Sequence, residues 1–193
     1  MADTRATAAL IGGVTLLERA VSYLVGSLHQ LTPADLARPT PCREWDLGTL
    51  LCHLRDSLDA LVEAAEQGQI PLQPPDQDPA PDPVAAVRDG ARRLLGAWTN
   101  GGPGEVIAVG GCPVTASVTA GAGALEIAVH GWDVARARGL HRPIPDSLAE
   151  ELLRLSGLFV SPADRPARFA VAVPVPESAP AGDRLLGFLG RQP

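Results

Sequence analysis

Lysine is absent from the 193-residue chain, and all sixteen basic residues are arginine. That excludes Schiff-base catalysis, a lysine general base and the lysine of a phosphate-binding loop. Aromatic residues make up only 4%, so alanine and branched aliphatics must build any core. The cysteines are three (Cys42, Cys52 and Cys112), with no C-x-x-C pair and no even count for a disulfide framework. Reduced thiols in a cytoplasmic protein are the expectation. No uncharged apolar run reaches the ~18 residues that would span a bilayer. The run from Ala8 to Leu17 follows Asp3, lacks a small-residue cleavage site and reads as a first helix. A net charge of −6 argues against binding a phosphate backbone. No Ser–His–Asp signature and no G-x-G-x-x-G after a strand is found.

What is present is a hydrophobic fraction of 46%, enough for a real core in a chain of one-domain size. Leu10, Val14, Leu17, Val21, Leu24 and Leu28 recur at helical steps. A second helix is expected from Asp46, a good N-cap, through Leu47, Leu50, Leu51, Leu54, Leu58, Leu61 and Val62. A proline-rich connection from Ile70 to Pro83 precedes a third helix from Pro83 to Trp98. Residues Val106–Val109, Gly110-Gly111 and Cys112–Val114 suit either a hairpin or an extended loop. A fourth helix from Val114 to Arg138 starts in poor helix formers and ends in good ones. A fifth runs from Pro145 to Leu158. An extended strap around Phe169–Val175, interrupted by Pro174 and Pro176, leads to a short last helix near Ala181–Leu189. The expected fold is all-α: a four-helix bundle over residues 1–160, with 161–193 a tail packed on it in the same domain. The long connections allow a non-sequential helix order.

The chemistry is concentrated in Glu126-Ile-Ala-Val-His130-Gly-Trp132-Asp133. Residues four apart share a helix face, ~5–6 Å apart at Cβ, so Glu126 and His130 project together with Asp133 nearly alongside. Their face also carries Ala122 and Ala137, which marks it as inward. Unpaired burial of such groups is costly, which leaves two readings: a local Glu–His hydrogen bond, or a metal held by both. His29 and His141 look exposed. His53 sits at the edge of the second leucine stripe and can face a bundle cavity. Two histidines and one carboxylate make an open zinc site with a place left for water or substrate.

The chain resembles the DinB/YfiT-like superfamily of four-helix-bundle metalloproteins, and within it the N-terminal domain of mycothiol-dependent maleylpyruvate isomerase and its short actinobacterial relatives. Three stretches carry the resemblance: Pro39-Thr-Pro-Cys-Arg-Glu-Trp45-Asp46 with Leu50-Leu-Cys-His53-Leu54, then Glu126-x-x-x-His130-Gly-Trp-Asp133-Val-Ala-Arg-Ala137, then Asp183-Arg-Leu-Leu-Gly-Phe-Leu-Gly-Arg-Gln-Pro193. The resemblance implies His53, Glu126 and His130 as metal ligands, zinc as the metal and mycothiol as a cosubstrate. It makes Asp133 an orienting or packing carboxylate. Trp45 and Trp132 either pack the loop on the bundle or line the pocket. Arg43, Arg55 and Arg136 flank the motifs and are candidates for binding acidic groups of a substrate. Cys42 and Cys112 precede the two ligand-bearing helices, as buried thiols, a fourth ligand or a redox thiol. Whereas the isomerase has a separate C-terminal domain, only the short tail follows the bundle here.

The expected activity is zinc-dependent transfer of a small thiol to, or isomerisation of, a small electrophilic metabolite. The alternatives are a thiol-independent addition or cyclisation on the same scaffold, and a non-catalytic module binding metal or a small molecule. A small-molecule substrate, no nucleic acid, no membrane and a homodimer through bundle faces complete the expectations.

Overall fold

The computed structural model describes residues 2–42, 44–72, 80–100 and 102–193, with side chains from residue 12 onward. The chain is mostly helical. Its helices are α1 (Ala2–Ser27), α2 (Leu47–Gln67), α3 (Pro83–Thr99), α4 (Ala116–Ala137), α5 (Asp146–Phe159) and α6 (Ala181–Phe188). Three short strands join them: β1 (Gln69–Ile70), β2 (Val106–Val109) and β3 (Cys112–Thr115).

Helix boundaries follow local chemistry. Asp46 caps α2 by accepting from the Thr49 N–H at 2.8 Å, and Gly68 closes it with a left-handed φ of 70°. Asp82 caps α3 in the same way, with Pro83 in the first turn. The apolar stripes of α1, α2 and α3 then bury their leucines; Leu17, Leu24, Leu50, Leu54, Leu58 and Leu94 are all fully inaccessible. Each such burial contributes about 1.5–3 kcal/mol relative to exposure.

Around the bundle, α4 packs between α1 and α2, while α3 closes the ring on the other side. This is the non-sequential order that the long connections permit. The α1–α4 contact is close because of Gly131: a Cβ there would stand 3.2 Å from the Leu24 Cα and 3.2 Å from the Tyr23 ring. The same packing explains why the β-branched and glycine-rich start of α4 is helical despite its propensity. Its small residues admit Leu61 of α2 and Leu155 of α5, and tertiary burial overrides a weak local preference.

The segment between α3 and α4 is a hairpin and not the extended loop. β2 and β3 pair antiparallel from Val106 with Thr115 to Val109 with Cys112, and Gly110 and Gly111 turn at φ 55° and 83°. A tight turn of this hand needs two positive φ values, and the core position of Ile107 fixes which face points in. β1 adds to β2 in parallel, anchoring the end of α2. Half of the proline-rich connection, residues 73–79, lies outside the described residues. The stretch around Phe169–Val175 contains no strand; it is tied to α6 through the Val173 N–H and the Gly187 carbonyl at 2.8 Å. No helix is long and apolar enough to cross a membrane among the described residues.

Candidate metal centre

His53 stands two turns into α2, and Glu126 and His130 stand one turn apart on α4. The packing of α2 on α4 brings the three together. His53 Nε2 lies 2.5 Å from Glu126 Oε1, and His130 Nε2 lies 3.2 Å from the same oxygen. The two imidazoles meet edge to face with centroids 5.1 Å apart. One donor atom from each of the three residues falls within 4.8 Å of the others. The His53 and Glu126 side chains are each 36% exposed, whereas that of His130 is 8% exposed, so the group opens to solvent on one side only.

The local Glu–His hydrogen bond and the convergence of three donors are therefore features of one arrangement. His130 divides its nitrogens between two tasks. Nε2 faces Glu126 and His53, while Nδ1 lies 2.9 Å from Asp133 Oδ2. A carboxylate on the far nitrogen fixes ring direction and leaves the near nitrogen free to ligate. Two imidazole nitrogens and one carboxylate oxygen are the donor set of an open zinc site, so these residues fit such an ion.

Electrostatics point the same way. Burial works to raise the Glu126 carboxyl, but the His130 charge and hydrogen bonds from both rings outweigh it and hold Glu126 well below the usual carboxylate range. Burial opposes charge on His130, yet Glu126, with further help from Asp133 and Cys42, keeps its ring protonated well above the usual histidine range. Both shifts follow from the same arrangement, which favours positive charge between Glu126 and Asp133.

Arg191 is the residue that sequence reasoning missed. It reaches from beyond α6 to grip Asp133, with Nε 2.9 Å from Oδ1 and Nη2 2.7 Å from Oδ2. Asp133 is fully buried, and burial alone would raise its carboxyl; the hydrogen bonds from His130 and Arg191 reverse that and lower it. Nothing in helical periodicity links positions 58 apart; the only signal was that Arg191 lies in the tail stretch carrying the family resemblance. Ser57, which adds a hydroxyl 3.4 Å from Glu126 Oε1, was also missed, although it lies one turn after His53.

The loop before α2 supplies a wall. Thr40 Oγ1 lies 3.1 Å from the Cys42 carbonyl and 2.9 Å from the Trp45 carbonyl, and accepts from the Cys42 N–H at 3.1 Å. This turn sets the Trp45 ring against His53, with centroids 4.7 Å apart and 6.2 Å from that of His130. Trp45 therefore packs against the two histidine rings, while Trp132 is a buried core residue. Cys42 lies on the Asp133 side of His130, its Sγ 3.5 Å from Asp133 Oδ2 and 3.6 Å from Arg191 Nη2. Cys42, His130 and Asp133 also form a donor group, but the Arg191 guanidinium already serves as its cation. Cys112 is exposed on β3, away from this cluster in the hairpin.

The three arginine candidates fare differently. Arg43 lies outside the described residues. Arg55 is paired with Asp56 at 3.1 Å. Arg136 lies over the Trp132 ring on the exposed side of α4, about 120° around the helix from His130 at 100° per residue. His29 and His141 are exposed, as expected.

Two Mycobacterium tuberculosis proteins, both described as uncharacterized (Rv0738 of strain H37Rv and MT0763 of strain CDC 1551), are each 29% identical over 179 residues, covering 90% of this chain and 94% of theirs. No solved structure matches the chain. The family described as the mycothiol maleylpyruvate isomerase N-terminal domain matches residues 17–135, a span that contains His53, Glu126, His130 and Asp133. The chain belongs to that DinB-like family.

Proposed function

We propose that this protein is a zinc-dependent enzyme that uses a low-molecular-weight thiol of the mycothiol type to act on a small electrophilic metabolite, by transfer or isomerisation. His53, Glu126 and His130 would hold the ion. The single observation that carries the reading is the division of labour at His130: Nδ1 bonded to a buried, arginine-clamped carboxylate and Nε2 turned toward Glu126. A structural Glu–His bond has no need of a second carboxylate held in place by a third element. Membership of a family described by mycothiol chemistry supports the thiol.

When bound, zinc would supply the Lewis acidity that keeps a coordinating thiol deprotonated at neutral pH. The chain's own residues do the rest. Asp133 holds the His130 ring in one tautomer, and Arg191 keeps Asp133 ionised and immobile. Trp45 covers one side of His53 and limits water there. Ser57 donates to Glu126 and restrains the carboxylate. The one open side leaves room for the thiol and its acceptor.

Elemental analysis of the native protein, paired with a thiol titration, tests this reading. One zinc per chain, lost in His53→Ala and His130→Ala, and a conjugate formed from mycothiol and an electrophile are the expected results. Metal content unchanged by both substitutions would overturn the site. Turnover that survives removal of the thiol would overturn its role as cosubstrate.

A further inference from the structure

A cleft of about 300 Å³ lies on the α1–α5 side of the molecule and is lined by Arg19, Ser22, Tyr23, Arg142, Pro145 and Leu148. None of these residues belongs to the His53–Glu126–His130 group. We propose that this cleft binds a small molecule through an oxyanion, a carboxylate or a phosphate, held by Arg142.

The two arginines of the cleft are in opposite states. Arg19 is satisfied: its Nη1 bonds to Glu151 Oε1 at 2.6 Å and its Nη2 to Ser147 Oγ at 3.0 Å. Arg142 has no carboxylate partner among the described residues. Its guanidinium lies over the Tyr23 ring at 5.0 Å, and its buried Nε has no hydrogen-bond partner. A buried donor without a partner is costly, a state Arg142 shares with Arg184, but only Arg142 also lines a cleft that an anion could enter.

The surroundings hold the guanidinium in place without using its donors. The Tyr23 hydroxyl donates to the Arg142 carbonyl at 2.6 Å, which pins the loop after α4 to α1. Gly26 leaves the space the side chain fills, since a Cβ there would lie 2.2 Å from Nη2. Ser22 is exposed beside it and offers a hydroxyl donor. A planar fork with free N–H groups, stacked on an aromatic ring, matches carboxylate and phosphate geometry. The volume is at the low end for small-molecule sites, which suits a metabolite and not a polymer. The buried Leu148 and the exposed Pro145 would face its apolar part.

The test is a titration of the full-length, zinc-loaded chain, labelled with ¹⁵N-arginine, with inorganic phosphate and separately with succinate at constant ionic strength. The reporter is the Arg142 Nε–H resonance, assigned by its loss in Arg142→Gln. A saturable shift with either anion is expected, and which anion produces it tells phosphate-bearing from carboxylate ligands. Calorimetry with that anion should show affinity weakened by about tenfold or more in Arg142→Gln, the loss of a charge-assisted bond. Gly26→Ala, which displaces the guanidinium while leaving it charged, should weaken binding likewise and serves if Arg142→Gln does not fold. Zinc content equal to wild type marks each variant as folded. No saturable shift with either anion, or binding unchanged in the folded variants, would overturn the proposal.

Discussion

Replacing Asp133 with Asn is the sharpest probe of the centre, because one side chain there serves two partners. The carboxylate presents Oδ2 to His130 Nδ1 at 2.9 Å and both oxygens to Arg191 at 2.7–3.2 Å. An amide of the same shape has one acceptor oxygen, so neither of its flips satisfies both partners. If it turns its NH2 group toward His130, the imidazole loses the acceptor that fixes its tautomer. Loss of a partner behind a metal ligand costs 10–100-fold in affinity by order of magnitude, or about 1.4–2.8 kcal/mol. Whichever way it turns, a guanidinium whose side chain is only 13% exposed loses its counter-charge, because the amide carries none. Breaking a buried pair from one side costs about 3–5 kcal/mol.

The two losses are separable. Urea unfolding of the metal-free protein reads the second, and competition with a chromophoric zinc chelator reads the first. Asp133→Asn should lower both stability and zinc affinity. Arg191→Gln should cost less stability, since His130 still partners the carboxylate, but should weaken zinc binding by loosening Asp133. In the double variant no charge is left unpaired at this position, so its stability loss should fall short of the sum by about 0.5–3 kcal/mol. Zinc affinity unchanged in Asp133→Asn would refute the claim that this carboxylate orients His130. Strict additivity of the two stability losses would refute the coupling to Arg191.

Zinc binding at pH 7 should release a proton, because the metal displaces it from His130; calorimetry in buffers of different ionisation enthalpy reads the number. The metal-free protein should also lose stability with rising pH: His130 titrates higher when folded, so its contribution is complete below its unfolded value of about 6.5 and is lost as pH rises through the raised folded value. Denaturant midpoints that stay flat from neutral to alkaline pH would contradict this. Gly131→Ala should push α4 from α1 and cost about 1–3 kcal/mol, read by thermal unfolding, although alanine favours helix. Asp46→Ala should remove the α2 cap at a cost of about 1 kcal/mol, with zinc affinity little changed, since His53 lies two turns further on.

The helices were legible because each carries its own punctuation. Asp46, Gly68 and the prolines and glycines between segments act within a turn of themselves, and the leucine stripes need only a core to face. The hairpin was ambiguous from the same physics: Val106–Thr115 is too short and too exposed for alternation to decide, and Ile107 settles it only through a core that other segments build. The convergence of His53 with Glu126 was readable from which faces carried them and was sharpened by family resemblance. The role of Trp45 was not, since it depends on a turn organised by a single threonine hydroxyl.

Arg191 shows where local reasoning stops. Sixteen arginines compete for attention in this chain, and those nearest the motifs were the natural candidates. Yet adjacency in sequence put Arg136 on the exposed side of α4 and gave Arg55 a neighbouring partner. The arginine that meets the centre arrives from the other end of the fold, because α6 packs on α5, α5 packs on α4, and the chain then runs back toward Asp133. A buried carboxylate in the sequence is a demand for a cation, and that demand was visible at Asp133 as soon as its helix face was assigned inward. The more productive question was therefore not which arginine lies beside the motif, but which one the fold can deliver to a buried acid.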